Sequence, residues 1–403
     1  MLLVLLAAAF VGQCVSLHAS TRFTAPISSP TASLAMGSWV KFIAGASNQD
    51  LPLVRNLCLL YTLAGVDCID LCADPAVVRA ADEGIMGALA LRSGSGDADL
   101  TTIEYRRRPL LMVSVNDGQD LHFRKASFDP AQCPPDCPRP CEKVCPAWAI
   151  VSPLINSTSA TQMDGVISDR CYGCGRCIPT CPLGLIDEVS YVANRNVINA
   201  LFETGLVDAI EVHTTHGQHS SFAKLWAEIG ADILPRAKVI AVSFPDMDAE
   251  TLPYLSQLQS IMTAHAAWPS FSGVQIWQTD GRPMSGDVGK GAAHAATQFA
   301  LNFLRETTEH SWDGIDLSRG RQYVQLAGGT NDYSPVLANS QGLLGSVGFG
   351  GFAFGGYARR EIGNLLRSLE DRQPGAKIED YPAEFDTCYL FSSRLVRSIK
   401  GEL

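Results

Sequence analysis

The chain has 403 residues, of which 46% are hydrophobic and 18% charged, and its formal net charge is −10. That length suits one large domain or two ordinary ones with a substantial core, and the composition excludes wholesale disorder. The acidic balance argues against a nucleic-acid partner, and no apolar run reaches the length of a membrane span.

The N-terminus reads as an address. Residues 2–11 form an apolar run of ten, which is too short to span a bilayer and fits a signal-peptide core, although no basic residue precedes it. From 16 to 33 the chain is rich in Ser and Thr, contains Arg22 and carries no acid; the first acidic residue is Asp50. This looks like a bipartite presequence, a signal plus a transit segment, directing the chain to a plastid of secondary origin and its stroma. Phe23 stands where such presequences often mark the junction. An ordinary secretory signal is the alternative, and the sequon at Asn156, Ser157 and Thr158 would matter only there. Residues 1–35 are therefore set aside as presequence.

Eight short apolar segments follow, at 40–46, 67–73, 110–115, 209–214, 239–244, 274–278, 323–327 and 350–354. Most are followed by helical spacing. Val54, Leu57, Cys58 and Tyr61 recur at i, i+3, i+4 and i+7, as do Ile362, Leu365, Leu366 and Leu369. Near-continuous apolar strands alternating with helices predict a parallel sheet, and eight such units predict a (β/α)8 barrel-like α/β domain. An open doubly wound sheet is the alternative. The barrel would comprise 36–125 and 190–403, interrupted by a cysteine-rich α+β insert at 126–189.

In a barrel, chemistry gathers at the C-terminal strand ends. There the sequence places Ser47, Asn48, Cys72, Asp74, Asn116, His213, His216, Asp246, Asp280 and Arg282. Gly328-Gly329 and Gly355-Gly356 follow strands seven and eight, where barrels often bind phosphate, although close packing and tight turning explain paired glycines slightly better. Residues 348–353 fit G-x-G-x-x-A formally but read as strand, because no helix opens at the right place. Cys68 and Cys72 share a strand face with Asp70 and read as packing. His213, His216 and His219 read as loop histidines, and Arg106, Arg107 and Arg108 as a solvated strand edge.

The insert carries the most specific chemistry. Eight of the 13 cysteines lie between positions 133 and 181. Cys171, Cys174, Cys177 and Cys181 with Pro182 form the C-x2-C-x2-C-x3-C-P run of bacterial-type ferredoxins, and Gly173 and Gly175 permit the tight turns that wrap three thiolates around one cluster. Cys133, Cys137, Cys141 and Cys145 with Pro146 form a second run with wider first spacings, so Cys133 is the ligand that spacing supports least. The fourth cysteine of each run ligates the other cluster. Hence Cys133, Cys137, Cys141 and Cys181 would hold one [4Fe–4S] cluster, and Cys171, Cys174, Cys177 and Cys145 the other. Zinc ribbons pair two short knuckles and do not match, disulfides would crowd four thiols in each run, and neither run contains the C-x3-C-x2-C of radical enzymes.

The stretches 39–48, 51–56 and 64–70, together with Cys133 to Cys145 and Cys171 to Cys177, resemble the light-dependent period (LdpA) family of cyanobacteria, from about residue 38 to about 370. The widened first cysteine run is shared with that family. The resemblance implies an iron–sulfur redox sensor that adjusts circadian period to light through the electron-transport state. Its eight cysteines carry over; the clock role carries over less directly, since this chain begins with a eukaryotic-type presequence.

Two functions are weighed. The first is a non-catalytic redox sensor that exchanges electrons with quinone or ferredoxin pools and acts on an unidentified regulatory protein. The second is an oxidoreductase in which clusters feed FMN, with Lys41 and Arg359 as candidate flavin and phosphate contacts. A cluster carrier is a weaker third reading.

Overall fold

A computed structural model describes residues 31–93, 108–150, 165–281 and 289–401. Arg106, Arg107, Arg282, the sequon at 156–158 and presequence residues 1–30 lie outside the described residues.

Eight parallel strands close into a barrel. They are β1 (Trp39–Gly45), β2 (Cys68–Cys72), β3 (Leu110–Asn116), β6 (Ala209–His213), β7 (Val239–Pro245), β8 (Val274–Asp280), β9 (Gln322–Ala327) and β10 (Phe349–Phe354). Two further strands, β4 (Arg124–Ser127) and β5 (Asp187–Ser190), pair antiparallel in a small separate sheet between β3 and β6. Every segment expected to be a barrel strand is one, within one or two residues. The open-sheet alternative fails because β1 pairs with both β2 and β10, with Trp39 beside Gly351 and Lys41 beside Cys68. Residues 348–353 contribute to β10, as the strand reading expects.

Helices alternate with the strands. These include α1 (Ala32–Ala35), α2 (Leu51–Ala64), α3 (Pro75–Ser93), α4 (Pro140–Val144), α5 (Arg195–Glu203), α6 (His219–Ile233), α7 (Thr251–Ala264), α8 (Lys290–Glu309), α9 (Ser334–Ser340), α10 (Gly356–Arg372) and α11 (Pro382–Lys400). Local chemistry sets α2: the Asp50 carboxylate accepts from the Leu53 N–H, Pro52 occupies the first turn, and Gly65 ends the helix at φ 93°. Val54, Leu57, Cys58 and Tyr61 of that helix are all buried against the barrel.

The barrel interior is layered. Trp39, Cys68, Met112, Ala209, Ala241, Ile276 and Tyr323 form an apolar lower layer. Above it, toward the C-terminal strand ends, the interior turns polar, with Lys41, Asp70, Ser114, Glu211, Gln278 and Gln325 all buried. The lower end is plugged by α1, within the stretch first set aside as presequence. Leu34 there is fully buried with the lower layer, and Ser33 donates to Asp67 at 2.8 Å. Lys400 reaches the same Asp67 at 2.5 Å, so both ends of the folded chain meet at the barrel base. Burying one leucine side chain contributes about 1.5–3 kcal/mol, so residues from about 31 onward belong to the fold.

Arg108 is not at a solvated edge. It bridges Asp208 at 3.0 Å and Asp82 at 3.1 Å and ties the start of β3 to α3 and to the turn before β6.

Candidate functional site

The cysteine-rich segment leaves the barrel after β3 and returns before α5. Asn116 at the end of β3 holds both ends of this excursion: its Nδ2 donates to the carbonyl of Tyr191 at 2.9 Å, and its Oδ1 accepts from the Ala193 N–H at 3.0 Å. Ser47 donates to the His122 carbonyl at 2.5 Å and accepts from the Tyr191 hydroxyl at 2.7 Å. Two residues expected at the strand ends for chemistry therefore serve to seat the insert.

Within the insert, the described cysteines are all free thiols. Cys141, Cys171 and Cys177 are buried and pack with Ala147, Ala149, Ile150, Val166 and Ile186. Gly173 and Gly175 take φ of 72° and 71°, and a Cβ on Gly173 would lie 2.3 Å from the Arg124 carbonyl oxygen. Only glycine is accommodated there.

Electrostatic coupling sorts the thiols. Burial pushes the Cys177 thiol up to about 12, and repulsion from Cys174, Cys145 and Cys171 adds to it. Burial also raises Cys174, again with Cys145 and Cys171 as like-charged neighbours. Cys133 is raised by burial and by Cys137, with Cys181 beyond, and Cys141 is raised by burial with Cys181 as its thiol neighbour. Each Cys-Pro cysteine thus faces the other run's cysteines. The two also match in local geometry: Cys145 Sγ accepts from the Ala149 N–H at 3.3 Å, and Cys181 Sγ from the Leu185 N–H at 3.4 Å. Burial acts to raise Cys181, yet the N–H groups of Leu185, Leu183, Gly184 and Ile186 outweigh it and hold that thiol below its ordinary range. Further N–H donors reach sulfur from Ala126 to Cys171 and from Arg139 to Cys137.

This donor set fits iron–sulfur clusters better than zinc. Tetrahedral zinc with Zn–S bonds of about 2.3 Å draws its sulfurs to about 3.8 Å from one another. Among the described residues, no three cysteine sulfurs lie mutually within 4.8 Å. In a cubane each thiolate binds a different iron, which demands the wider spread, and N–H donors to sulfur are the usual tuning groups.

The insert covers the C-terminal mouth of the barrel and encloses a cavity there. Pro146, Tyr172 and Cys174 from the insert face Asp70, Glu211 and His213 from the strands and Arg359 from α10. Two arginines of α10 grip the insert beside its cysteines: Arg359 lies 4.5 Å over the Tyr172 ring, and Arg367 lies 5.8 Å from the Trp148 ring while bridging buried Asp50 at 2.7 Å.

A chain of charges runs along the cavity floor. Lys41 is wholly buried and pairs with Glu211. Burial opposes its charge, but Glu211 and Asp70 outweigh that and raise its pKa. Burial lifts Asp70 to about 6, with Glu211 adding to it and Lys41 opposing. Glu211 Oε1 lies 3.0 Å from His213 Nε2, and His213 Nδ1 lies 3.8 Å from Asp120 Oδ1. Asp120 holds His122 Nδ1 at 2.8 Å, and His122 Nε2 lies 3.2 Å from Asp280 Oδ2. Burial opposes a charge on His122, but Asp120 and Asp280 prevail and raise it to about 10.

Sequence reading placed both Asp280 and His213 at the strand ends, but read His213 with His216 and His219 as a loop histidine. His213 is instead the last residue of β6, in a different setting from His216 and His219, which flank Tyr254. Asp120, His122 and Glu211 were missed. Their one available signal was polar residues, Glu211 and His213, two apart on the inner face of an apolar strand. Of the paired glycines, Gly328-Gly329 is filled by protein, since Cβ atoms there would meet Asp280 Oδ1 at 1.9 Å and the Ala292 Cβ at 2.7 Å, whereas Gly355-Gly356 lines the cavity. Close packing accounts for the first pair.

Comparison with known proteins agrees with this geometry. Residues 133–192 match the model of the LdpA Fe-S cluster-binding domain, and residues 201–398 match the Light dependent period A C-terminal domain. The chain is 41% identical over 375 residues to Light dependent period A of Synechococcus elongatus, covering 92% of this chain and 94% of that protein. Strands β1–β3 fall outside both domain models but inside the longer match, and they complete the same closed barrel as the C-terminal domain. The chain is an iron–sulfur-binding member of the light-dependent period A family.

Proposed function

We propose that this protein is a redox sensor that couples the photosynthetic electron-transport state to a regulatory output, in a plastid. The observation that carries the reading is the sorting of eight thiols into two groups of four, inside an insert gripped by α10. Cys133, Cys137, Cys141 and Cys181 would hold one [4Fe–4S] cluster, and Cys145, Cys171, Cys174 and Cys177 the other. When bound, such clusters supply reversible one-electron storage. Tyr172 follows Cys171 directly, and Trp148 lies three residues after Cys145; both touch α10 arginines. A change of charge at these cysteines acts on Arg359 and Arg367 and shifts how the insert sits on the barrel. Quinone or ferredoxin pools are the electron donors in this reading. The relative's name supports a link to light and period, and a presequence would be removed ahead of the buried Ser33 and Leu34.

The test is an anaerobic absorption spectrum and iron analysis of the purified protein, then hydrogen exchange in oxidised and dithionite-reduced states. The expected result is about eight irons per chain, bleaching on reduction, and altered exchange in α10 and residues 145–150. Zinc in place of iron overturns the cofactor assignment. Identical exchange in both states overturns the sensor.

A flavin-linked oxidoreductase is the second reading, favoured by Cys174 sharing a cavity with Arg359, Gly355 and Gly356. Against it, Lys41 is committed to Glu211, and the Gly328-Gly329 turn is filled. Flavin bands in the same spectrum would decide for it.

A further inference from the structure

We infer that Asp120, His122 and His213 form a mononuclear site for a divalent first-row transition ion at the junction of barrel and insert. The inference stands whether or not the redox-sensor reading holds.

The ligand atoms of these three residues all lie within 4.8 Å of one another. Asp120 Oδ1 is 2.8 Å from His122 Nδ1 and 3.8 Å from His213 Nδ1. Metal–ligand bonds of about 2.0–2.1 Å place tetrahedral donors about 3.3 Å apart, between those two separations. Two imidazoles with one carboxylate form the facial donor set of non-haem ferrous sites, and the same set suits zinc or manganese.

A second observation is independent of that convergence. His213 is only 5% exposed, yet its buried Nε2 makes no aligned hydrogen bond. Its Nε2 sits 3.0 Å from Glu211 Oε1 but off the hydrogen-bond line, and its Nδ1 faces Asp120 beyond hydrogen-bond reach. A buried imidazole left in this state costs free energy. An ion on Nδ1 fixes the ring and lets Nε2–H turn to Glu211, which gives the unpartnered nitrogen its acceptor. On the other ring, Asp280 stands against His122 Nε2 at 3.2 Å. Both Nδ1 atoms thus face the ion position while a carboxylate backs each Nε2, the outer arrangement that orients metal-binding histidines.

Charge points the same way. Asp70, Asp120, Glu211 and Asp280 surround the position, and Lys41 is the one lysine or arginine paired with any of them among the described residues. His122 lies between Asp120 and Asp280, and a divalent ion bound there takes the place of its proton in offsetting these carboxylates. Asp120 and His122 belong to the segment leading into the insert and His213 to the barrel, so the bound ion pins the two together beneath Cys174.

The test is a manganese titration of the full-length, cluster-loaded protein under oxidising conditions, read by electron paramagnetic resonance. The expected result is one Mn2+ per chain, with nitrogen modulation from two imidazoles. His122→Ala and His213→Ala should each abolish that modulation from their own ring and weaken binding at least tenfold, with cluster iron unchanged. Glu211→Gln and Asp280→Asn should weaken it about 10- to 100-fold while both nitrogens persist. Absence of nitrogen modulation in the wild-type protein overturns the site without recourse to any variant. So does wild-type affinity in the Asp120→Asn protein, or no Mn2+ binding while cluster iron is intact.

Discussion

The barrel and the insert lie against one another, yet different physics holds each. In the barrel, strands and helices bury a continuous apolar core that includes Phe42, Leu57, Val113, Trp226, Phe244 and Phe352. Lys41 pairs with Glu211 in its interior and Lys400 with Asp67 at its base. The insert has two four-residue strands, of which β5 is wholly exposed, and an apolar cluster made largely of alanines and cysteines. A core of that size does not offset chain entropy unaided; small domains of this kind depend on bound metal. The barrel therefore folds on its side chains, whereas the insert folds on its ligands.

The sharpest way to break that contrast is Cys174→Ala. It should lower iron content and loosen residues 133–150 and 165–186, with barrel unfolding unchanged; iron analysis and hydrogen exchange measure both. Equal loosening of the barrel strands would show that the two regions share one stability. The converse change is Lys41→Met, which leaves Glu211 buried without its partner. It should cost the barrel about 3–5 kcal/mol in denaturant unfolding, and adding Glu211→Gln should restore much of that.

A pH experiment separates the regions more gently. Burial acts to raise Glu379, but its bond to Arg55 on α2 prevails and holds it below the ordinary 4.5. Its folded value is depressed, so its contribution is fully present above the unfolded value and is lost as pH falls through the folded value, below 4.5. Glu379→Gln should flatten the acid limb of barrel unfolding and leave the absorption of the iron-loaded insert unchanged. The smallest effect belongs to Trp148→Ala. Losing its contact with Arg367 should cost about 0.5–2 kcal/mol of docking, read as faster exchange at residues 145–150 with an unchanged barrel midpoint.

Much of this was legible because it is written locally. A strand buried on both faces must be apolar along its length, so all eight barrel strands stood out. Closure into a barrel was not local, since it rests on Trp39 pairing with Gly351 across the whole chain. The mouth site was harder still. Lys41 and Glu211 are 170 residues apart, and Asp120 and His122 sit in a loop with no periodicity to mark them. The setting aside of residues 1–35 failed at Ser33 and Leu34, because a four-residue helix carries too little pattern to announce that it plugs a barrel.

The sequence by itself determined the strand–helix repeat, the position of the insert and the spacing of eight cysteines, because each depends on neighbours a few residues away. The meeting of Asp120, His122 and His213 beneath them was decided only when the barrel closed. Closure alone brings the ends of β3, β6 and β8 to one mouth, and there the insert lays its cysteines over a floor of charges that no stretch of the chain carries together.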